Sequence, residues 1–224
     1  MTFEPGPARS GRYQFEIGTA GSATLVLQTV LPALLIADGD SEVVIAGGTH
    51  NPMAPCFEYL RDVFATLAEA ANAAMGLELV RPGFYPAGGG RIACEVRGVG
   101  EAVHLAGVRM GDRGRARMVQ VVSTATADLP AHIVERQAVR AAERLREAGL
   151  RNTVEQRRPG SASPGTCLFL RAVCERSVAG FWSLGKLGKP AERVADEAVD
   201  ELLAFLDAPG VLDPHAADQL MTLL

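Results

Sequence analysis

The sequence has no excess of positive charge and almost no lysine. Its 224 residues carry 22 Lys and Arg side chains against 26 Asp and Glu, which gives a net charge of -4 at pH 7. Lys186 and Lys189 are the only lysines, so nearly all of the basic charge is arginine. A general positive field that would hold nucleic acid is excluded, because such binding depends on excess cationic charge. Any contact with nucleic acid must therefore be local.

Long apolar runs are also absent. The most apolar stretch, Thr24 to Ala37, contains Gln28 and Pro32 and is too short for a membrane helix, which needs about 20 apolar residues. The first residues lack the basic and apolar regions of a signal peptide. The cysteines are widely spaced and match no zinc pattern; they are Cys56, Cys94, Cys167 and Cys174. We therefore expect a soluble, cytoplasmic protein with reduced thiols and no membrane contact.

The composition is that of a globular protein, with 48% hydrophobic and 21% charged residues. In the first half, segments typical of strands alternate with segments of helical periodicity. The predicted strands are Tyr13 to Ile17, Val43 to Ala46, Leu77 to Val80 and Arg91 to Arg97, and the predicted helices are Ala23 to Leu35 and Pro55 to Met75. Pro32 is expected to kink or interrupt the first helix. This alternation predicts helices packed on a sheet, in a mixed α/β fold.

The pattern of charged and apolar residues changes near Ala131, and this change predicts a second, smaller domain. It is predicted to begin with a charged amphipathic helix at residues 133–148, followed by a loop rich in Pro and Gly at 157–165. An apolar strand at 167–174 and a second helix at 191–206 complete it. A cluster of helix-breaking residues at 207–210 follows. We therefore predict a small domain at residues 131–207, inserted between two parts of a large domain at 1–130 and 208–224.

Three segments rich in glycine stand where strands meet turns. Residues 18–22 join a strand to a helix, where small residues allow backbone N–H groups to approach a phosphate, although a tight structural turn is equally consistent. Residues 83–90 place an aromatic-proline corner beside flexible backbone, which suits either a nucleobase or a plain hairpin turn. Residues 47–52 contain His50 without a nucleophile motif, and a lone histidine is more often structural than catalytic.

Taken in order, these segments resemble the motifs of the RNA 3'-terminal phosphate cyclase family. Members of that family carry G-[ST]-A-G-S, L-x-L-Q-x-x-L-P, G-G-T-H-N, G-F-Y-P-x-G-G-G, an inserted small domain and a D-Q-L helix. The matching residues here are 18–22, 25–32, 47–51, 83–90 and 218–220. The resemblance covers essentially the whole chain, and several motifs in one order are more specific than any single motif.

The resemblance implies a fold and a reaction. The family's large domain repeats a β-α-β-α-β-β unit, so we expect an incomplete large domain here with a small α/β domain inserted. The implied reaction consumes ATP: a histidine takes AMP and passes it to an RNA 3'-phosphate, and the neighbouring 2'-hydroxyl then closes a 2',3'-cyclic phosphate. The implied cofactors are ATP and Mg²⁺ or Mn²⁺, and the implied partners are RNA 3'-phosphate ends.

Four residues match the nucleotide site of the family by position. Pro86 matches a proline that packs on one face of adenine, and His215 stands where the family has an aromatic residue, usually Tyr, on the other face. Asp218 matches a carboxylate near the phosphates and the metal ion, and Gln219 matches a neighbouring nucleotide contact. Without the resemblance, Asp218 and Gln219 would indicate only a solvated helix face.

The chain also departs from the family pattern. Family members begin earlier, with a glycine-rich segment and several arginines, and they continue past this terminus to the histidine that carries AMP. The last helix here follows Asp213, a residue typical of N-caps, and runs to the end of the sequence without a C-cap. None of the four histidines, His50, His104, His132 and His215, lies in the context of that nucleophile. We therefore expect no catalytic residue here: the chain is a fragment of a cyclase or a non-catalytic relative that binds RNA or assists ribosome assembly.

Overall fold

A computed structural model describes residues 6–70, 72–100 and 111–221 of the chain. The first unit contains β1 (Arg12–Glu16), α1 (Ala23–Leu35), β2 (Ser41–Gly47), α2 (Phe57–Tyr59), a π-helical turn (Leu60–Phe64), α3 (Ala65–Glu69), β3 (Met75–Arg81) and β4 (Gly90–Val96). The second contains β5 (Ala116–Ala125), α4 (His132–Glu147), β6 (Asn152–Arg157), β7 (Thr166–Cys174), β8 (Val178–Leu184) and α5 (Ala191–Asp207), and α6 (Pro214–Leu220) follows.

The first unit has the predicted β-α-β-α-β-β order. Its sheet runs β1-β2-β4-β3, with β1 and β2 parallel across α1, and β4 antiparallel to both of its neighbours. Alternate residues of β2 and β4, such as Val43 and Ile92, are buried against the helices, because a strand turns every second side chain to the same face. The mixed α/β expectation is confirmed.

The second predicted helix is shorter than the sequence pattern indicated. The three consecutive helical segments run from Phe57 to Glu69, and Asn72 then adopts a positive φ of 66°. Met75, which closed the predicted helix, is the first residue of β3 and lies opposite Val96 of β4. A left-handed residue stops a helix, and pairing with β4 then fixes the following residues as a strand.

The second sheet has the order β6-β5-β7-β8, with β5 and β6 parallel across α4. On one face, α4 and α5 bury residues such as Leu145 and Val199. On the other face, Cys167 and Phe169 share a core with Phe57 of the first unit. The helical segment 57–69 therefore lies between the two sheets, and α4 and α5 form the outer layer.

The start of the second sheet bears on the predicted domain division. Strand β5 precedes residue 131, yet it pairs with both β6 and β7. The change in the pattern of charged and apolar residues at Ala131 thus marks the amphipathic helix α4 and not the strand that precedes it. The division into 1–130, 131–207 and 208–224 stays a prediction. In the part of the chain that the structure describes, no helix is both long enough and apolar enough to cross a membrane.

Candidate functional site

The three segments rich in glycine meet at the carboxyl ends of β1 and β2, and we call residues 18–22, 47–51 and 83–90 together the glycine junction. The Gly48 N–H donates to the Gly21 carbonyl at 2.7 Å, and the Thr49 N–H donates to the Gly83 carbonyl at 2.8 Å. The Asn51 side-chain amide donates to the Ala20 carbonyl. Backbone hydrogen bonds therefore join three segments that are far apart in sequence.

Close backbone contact explains why the junction needs glycine. Gly88 has a φ of 67°, and a Cβ there would lie 2.7 Å from the Ala20 Cα. Such a φ is favourable for glycine and strained for most other residues. In the first segment, the Ser22 hydroxyl accepts the Leu25 N–H at 3.2 Å and caps α1. A tight structural turn at residues 18–22 is sufficient to account for these contacts.

His50 lies in the junction as a buried, fully engaged side chain. Its Nδ1 is 2.8 Å from the Thr49 hydroxyl, and its Nε2 is 2.8 Å from a carboxylate oxygen of Glu58. The His50 ring stacks on Phe84 with centroids 4.7 Å apart and an interplanar angle of 19°. These contacts fit the structural role that a lone histidine suggests.

Glu58 connects His50 to the second unit. Its second carboxylate oxygen is 3.4 Å from Nη1 of Arg157, at the end of β6. Burial by itself would raise the pKa of Glu58, but the His50 imidazole and the Arg157 guanidinium lower it to about 2. The Glu58 side chain is only 3% exposed, so a charged carboxylate is held in the interior by these partners.

A second set of contacts fixes α6, the helix that carries three of the four predicted site residues. The Asp213 carboxylate accepts the Ala216 N–H at 2.9 Å, which confirms it as the N-cap. The same carboxylate accepts the Tyr59 hydroxyl at 2.8 Å and the Gly180 N–H at 3.2 Å. Burial, and next the Asp213 carboxylate, raises the pKa of Tyr59 far above its usual range. Helix α6 is thereby anchored to both units.

Three rings, which we call the aromatic cluster, meet where α6 touches the units: Tyr59, Trp182 and His215. The centroids of Trp182 and His215 are 4.6 Å apart, and those of Tyr59 and Trp182 are 5.0 Å apart. A Cβ on Gly180 would lie 2.7 Å from the Tyr59 ring, so a glycine is needed at that point of β8. His215 is exposed, whereas Trp182 is half-buried and Tyr59 is buried.

His215 and Trp182 line a cavity of about 560 Å³, which we call the His215 cavity. The loop after the glycine junction, both lysines of the chain and two glutamates also line it. The remaining lining residues are Asn51, Pro52, Met53, Ala54, Pro55, Ser183, Leu184, Gly185, Lys186, Lys189, Glu197 and Glu201. Burial raises the pKa of Glu201, which His215 partly offsets. The cavity thus combines flat rings, prolines and charges of both signs.

The two lysines at the cavity differ in their contacts. Lys189 pairs with the Glu197 carboxylate and donates to the Ser183 hydroxyl at 3.0 Å. Lys186 is exposed, and among the described residues it has no ion-pair partner. Its ammonium group is therefore the one that remains accessible to an anionic ligand or to a chemical reagent.

The structure brings together only some of the predicted site residues. His215, Asp218 and Gln219 lie on the short helix α6, with Asp218 exposed and Gln219 half-buried. Pro86 is exposed in the third segment of the junction, and it is not among the residues that line the His215 cavity. The pairing of Pro86 with His215 across adenine therefore stays a prediction.

Sequence reasoning missed the other lining residues of the cavity. Trp182, Pro52 and Pro55 line it, and the one available signal was that Trp182 is the single tryptophan of the chain. No cluster of three or more His, Cys, Asp or Glu suited to a metal ion occurs within residues 6–70, 72–100 and 111–221. The proposed metal contact consequently depends on Asp218 alone.

Comparison with known proteins identifies the family. The family described as RNA 3'-terminal phosphate cyclase matches residues 1–224. The RNA 3'-terminal phosphate cyclase of Ectopseudomonas mendocina is 41% identical over 223 residues, which cover 99% of this chain and 63% of that protein. The proteins of the same name from Methylococcus capsulatus and Koribacter versatilis are 41% and 40% identical over 228 residues, with 62% and 61% of their own lengths covered. This chain, which spans less than two thirds of these curated relatives, belongs to the RNA 3'-terminal phosphate cyclase family.

Proposed function

We propose that the chain is part of an ATP-dependent enzyme that converts an RNA 3'-phosphate into a 2',3'-cyclic phosphate. Support comes from the name that its relatives share and from the order of its motifs. The chemistry requires activation, because the charge of a phosphate monoester repels nucleophiles. Transfer of AMP to the 3'-phosphate provides a leaving group, and the 2'-hydroxyl can then attack the phosphorus and expel AMP.

The observation that carries the proposal is the His215 cavity. Its volume of about 560 Å³ lies in the range of small-molecule sites, and the His215 ring offers a flat surface to a nucleobase. Pro52 and Pro55 face the cavity, whereas Pro86, the proline predicted for the opposite face of adenine, lies outside its lining. We place the adenine at His215 and keep Pro86 as the predicted partner to be tested against Pro55.

A divalent metal ion would act beside the phosphates. Mg²⁺ in proteins is commonly held by one or two carboxylates together with substrate phosphates and water, so the exposed Asp218 is sufficient as a protein contact. When bound, Mg²⁺ or Mn²⁺ would offset phosphate charge. Asp218 would hold the ion, and Gln219 would contact the nucleotide next to it.

None of the described histidines is assigned as the acceptor of AMP. His50 is buried and bound to Glu58, His132 opens the outer helix α4, and His215 forms a wall of the cavity. His104 lies outside the described residues. We therefore propose that this chain contributes nucleotide binding and not the nucleophile. Its four free, buried thiols are consistent with a reducing compartment such as the cytoplasm.

Selective acylation of Lys186 tests where the nucleotide binds. The chain has only two lysines, so mass spectrometry can follow each of them after treatment with an amine-reactive acetyl ester. We expect ATP to protect Lys186 in the wild-type chain and not in His215→Ala. A Pro86→Ala and Pro55→Ala pair then identifies the opposing proline. Equal acylation of wild-type Lys186 with and without ATP would refute the cavity as the nucleotide site.

The reaction itself is tested with an RNA that carries a radiolabelled 3'-phosphate. Cyclisation makes that phosphate resistant to phosphatase, so ATP-dependent resistance supports the enzyme assignment. A parallel incubation with ATP labelled at the α-phosphate detects a covalent protein-AMP adduct. Any stable adduct would contradict the proposed absence of the nucleophile, and alanine substitution of His50, His104, His132 and His215 would show whether a histidine carries it. ATP binding without either reaction is the result expected of this chain, because it would supply the nucleotide site without the nucleophile.

A further inference from the structure

We infer that the hairpin of β3 and β4 binds the single-stranded RNA next to its 3'-phosphate, with Arg81 and Arg91 on backbone phosphates and Tyr85 on a base. This inference rests on the proposed function, because it assigns a surface to the RNA substrate of the same enzyme. Arg81 is the last residue of β3, Arg91 is the second residue of β4, and Tyr85 lies in the turn between the two strands. We call these three residues the hairpin surface.

Two arginines oppose each other at the end of the hairpin. Arg81 is the direct partner of Arg91 in the antiparallel pairing of β3 with β4, and like charges in such a position destabilise a sheet. The Arg81 Nε donates to the Gly89 carbonyl at 2.6 Å. Within residues 6–70, 72–100 and 111–221, neither arginine forms an ion pair with a carboxylate. An anion bound between the two guanidinium groups would therefore relieve their repulsion.

A β-bulge creates this arginine pair. Leu79 lies opposite Ile92, so a regular ladder would place Val80 opposite Arg91. The register shifts by one residue between Leu79 and Arg81, and Arg81 takes that position instead. Bulges commonly redirect a side chain in this way. Because Ile92 is buried toward the helices, Arg91 is turned to the opposite face of the sheet, and Arg81 lies beside it.

Tyr85 adds an exposed aromatic ring to the same end of the sheet. Its side chain is 68% exposed, and among the described residues it has no stacking partner and no hydrogen bond to its hydroxyl. The turn that carries it is held in place, because the Ala87 N–H donates to the Ser163 hydroxyl at 2.9 Å and Arg81 binds Gly89. The ring is therefore presented to solvent by a fixed turn.

The combination of groups selects single-stranded nucleic acid. A guanidinium group binds phosphate oxygens through several N–H donors, and an aromatic side chain stacks on an unpaired base of any identity. Tyr85 follows Arg81 by four residues, so their backbones are separated by about 14 Å at most. A free phosphate ion or an acidic peptide would occupy the arginines without a base for the ring. The net charge of -4 requires such a local contact.

The salt dependence of RNA binding to the full chain tests the two arginines. Fluorescence anisotropy of a fluorescein-labelled oligoribonucleotide with a 3'-phosphate gives the affinity at each salt concentration. Replacing Arg81 and Arg91 by Gln should lower the slope of log affinity against log salt by about 0.7 for each arginine removed. Replacing both by Lys should keep the slope, because the charge is retained. Arg12→Gln is the matched control, since Arg12 is exposed and already paired with Glu42 at the other end of the first sheet.

Substitution of Tyr85 tests the base contact. Tyr85→Leu should lose roughly 5- to 100-fold in affinity for the oligoribonucleotide without a change in the salt slope, whereas Tyr85→Phe should keep most of the affinity. An abasic oligonucleotide of the same length carries phosphates without bases. It should bind equally to the wild-type chain and to Tyr85→Leu.

Several results would overturn the inference. They are an unchanged salt slope in the double Gln variant, an equal reduction of the slope in Arg12→Gln, and a loss below twofold in Tyr85→Leu. Displacement of the RNA by polyglutamate at equal concentration would indicate a protein partner instead. Absence of RNA binding to the wild-type chain would also overturn it. The protection of Lys186 by ATP is measured separately, so the proposed nucleotide site can stand when the hairpin surface fails.

Discussion

Replacement of Glu58 is expected to destabilise the chain far more than replacement of Glu155, although both carboxylates contact Arg157. The Glu58 side chain is 3% exposed and also binds His50, whereas Glu155 is 57% exposed. Loss of one partner of a buried ion pair costs about 3–5 kcal/mol, because the remaining group stays buried without compensation. An exposed pair contributes only about 0–1 kcal/mol.

The pKa of Glu58 gives a second value for the contribution of this carboxylate to the free energy of unfolding. Folding lowers this pKa from 4.5 to about 2, which corresponds to roughly 3 kcal/mol of stability. Because the folded value lies below the unfolded one, this stability is fully present above pH 4.5. It is lost progressively as the pH falls toward 2. Glu58→Gln removes the titrating group, so its free energy of unfolding should depend less on pH in that window.

Urea unfolding, followed by Trp182 fluorescence, measures these differences. At pH 7 we expect Glu58→Ala to lose about 3–5 kcal/mol, Glu58→Gln to lose less because its amide can still hydrogen bond, and Glu155→Ala to lose at most about 1 kcal/mol. The same series repeated between pH 5 and pH 3 tests the titration. Equal losses for Glu58→Ala and Glu155→Ala at pH 7 would refute the claim that burial makes the difference.

Three further predictions concern the backbone, the α6 anchor and the thiols. Gly88→Ala should lower the melting temperature more than Gly18→Ala, because both residues have positive φ but only a Cβ at Gly88 would contact backbone atoms. The difference in the free energy of unfolding should be about 1–3 kcal/mol. Equal shifts in melting temperature would show that close packing at Gly88 does not contribute to stability. Asp213→Ala should lower the free energy of unfolding by about 2–4 kcal/mol, since it removes an N-cap and leaves the Tyr59 hydroxyl without its acceptor. Asp213→Asn should retain most of the stability when both variants are unfolded in urea. Burial raises the pKa of Cys94 to about 12, so Ellman's reagent at pH 8 should modify this thiol only after unfolding, and rapid modification of the folded chain would contradict its burial.

Local sequence was sufficient for most elements of the fold. The apolar periodicity predicted α1 with its observed bounds, Ala23–Leu35, and placed β2 and β4 within a few residues. The expected interruption at Pro32 does not occur, since Pro32 lies inside the continuous α1. Asp213 was identified as an N-cap because the residue type and the following proline determine that geometry locally. The order of the glycine motifs was sufficient to identify the family, since the order of motifs is read directly from the sequence.

Tertiary structure alone decided which of these residues meet. The hydrogen bond between Tyr59 and Asp213 spans 154 positions, and the contact between Trp182 and His215 joins a strand of the second unit to α6. Periodicity reveals which face of an element is apolar, but many pairings of such faces satisfy the same pattern. The contact between Glu58 and Arg157 and the composition of the His215 cavity were therefore invisible in the sequence, because they depend on how two separately patterned sheets pack around one helix.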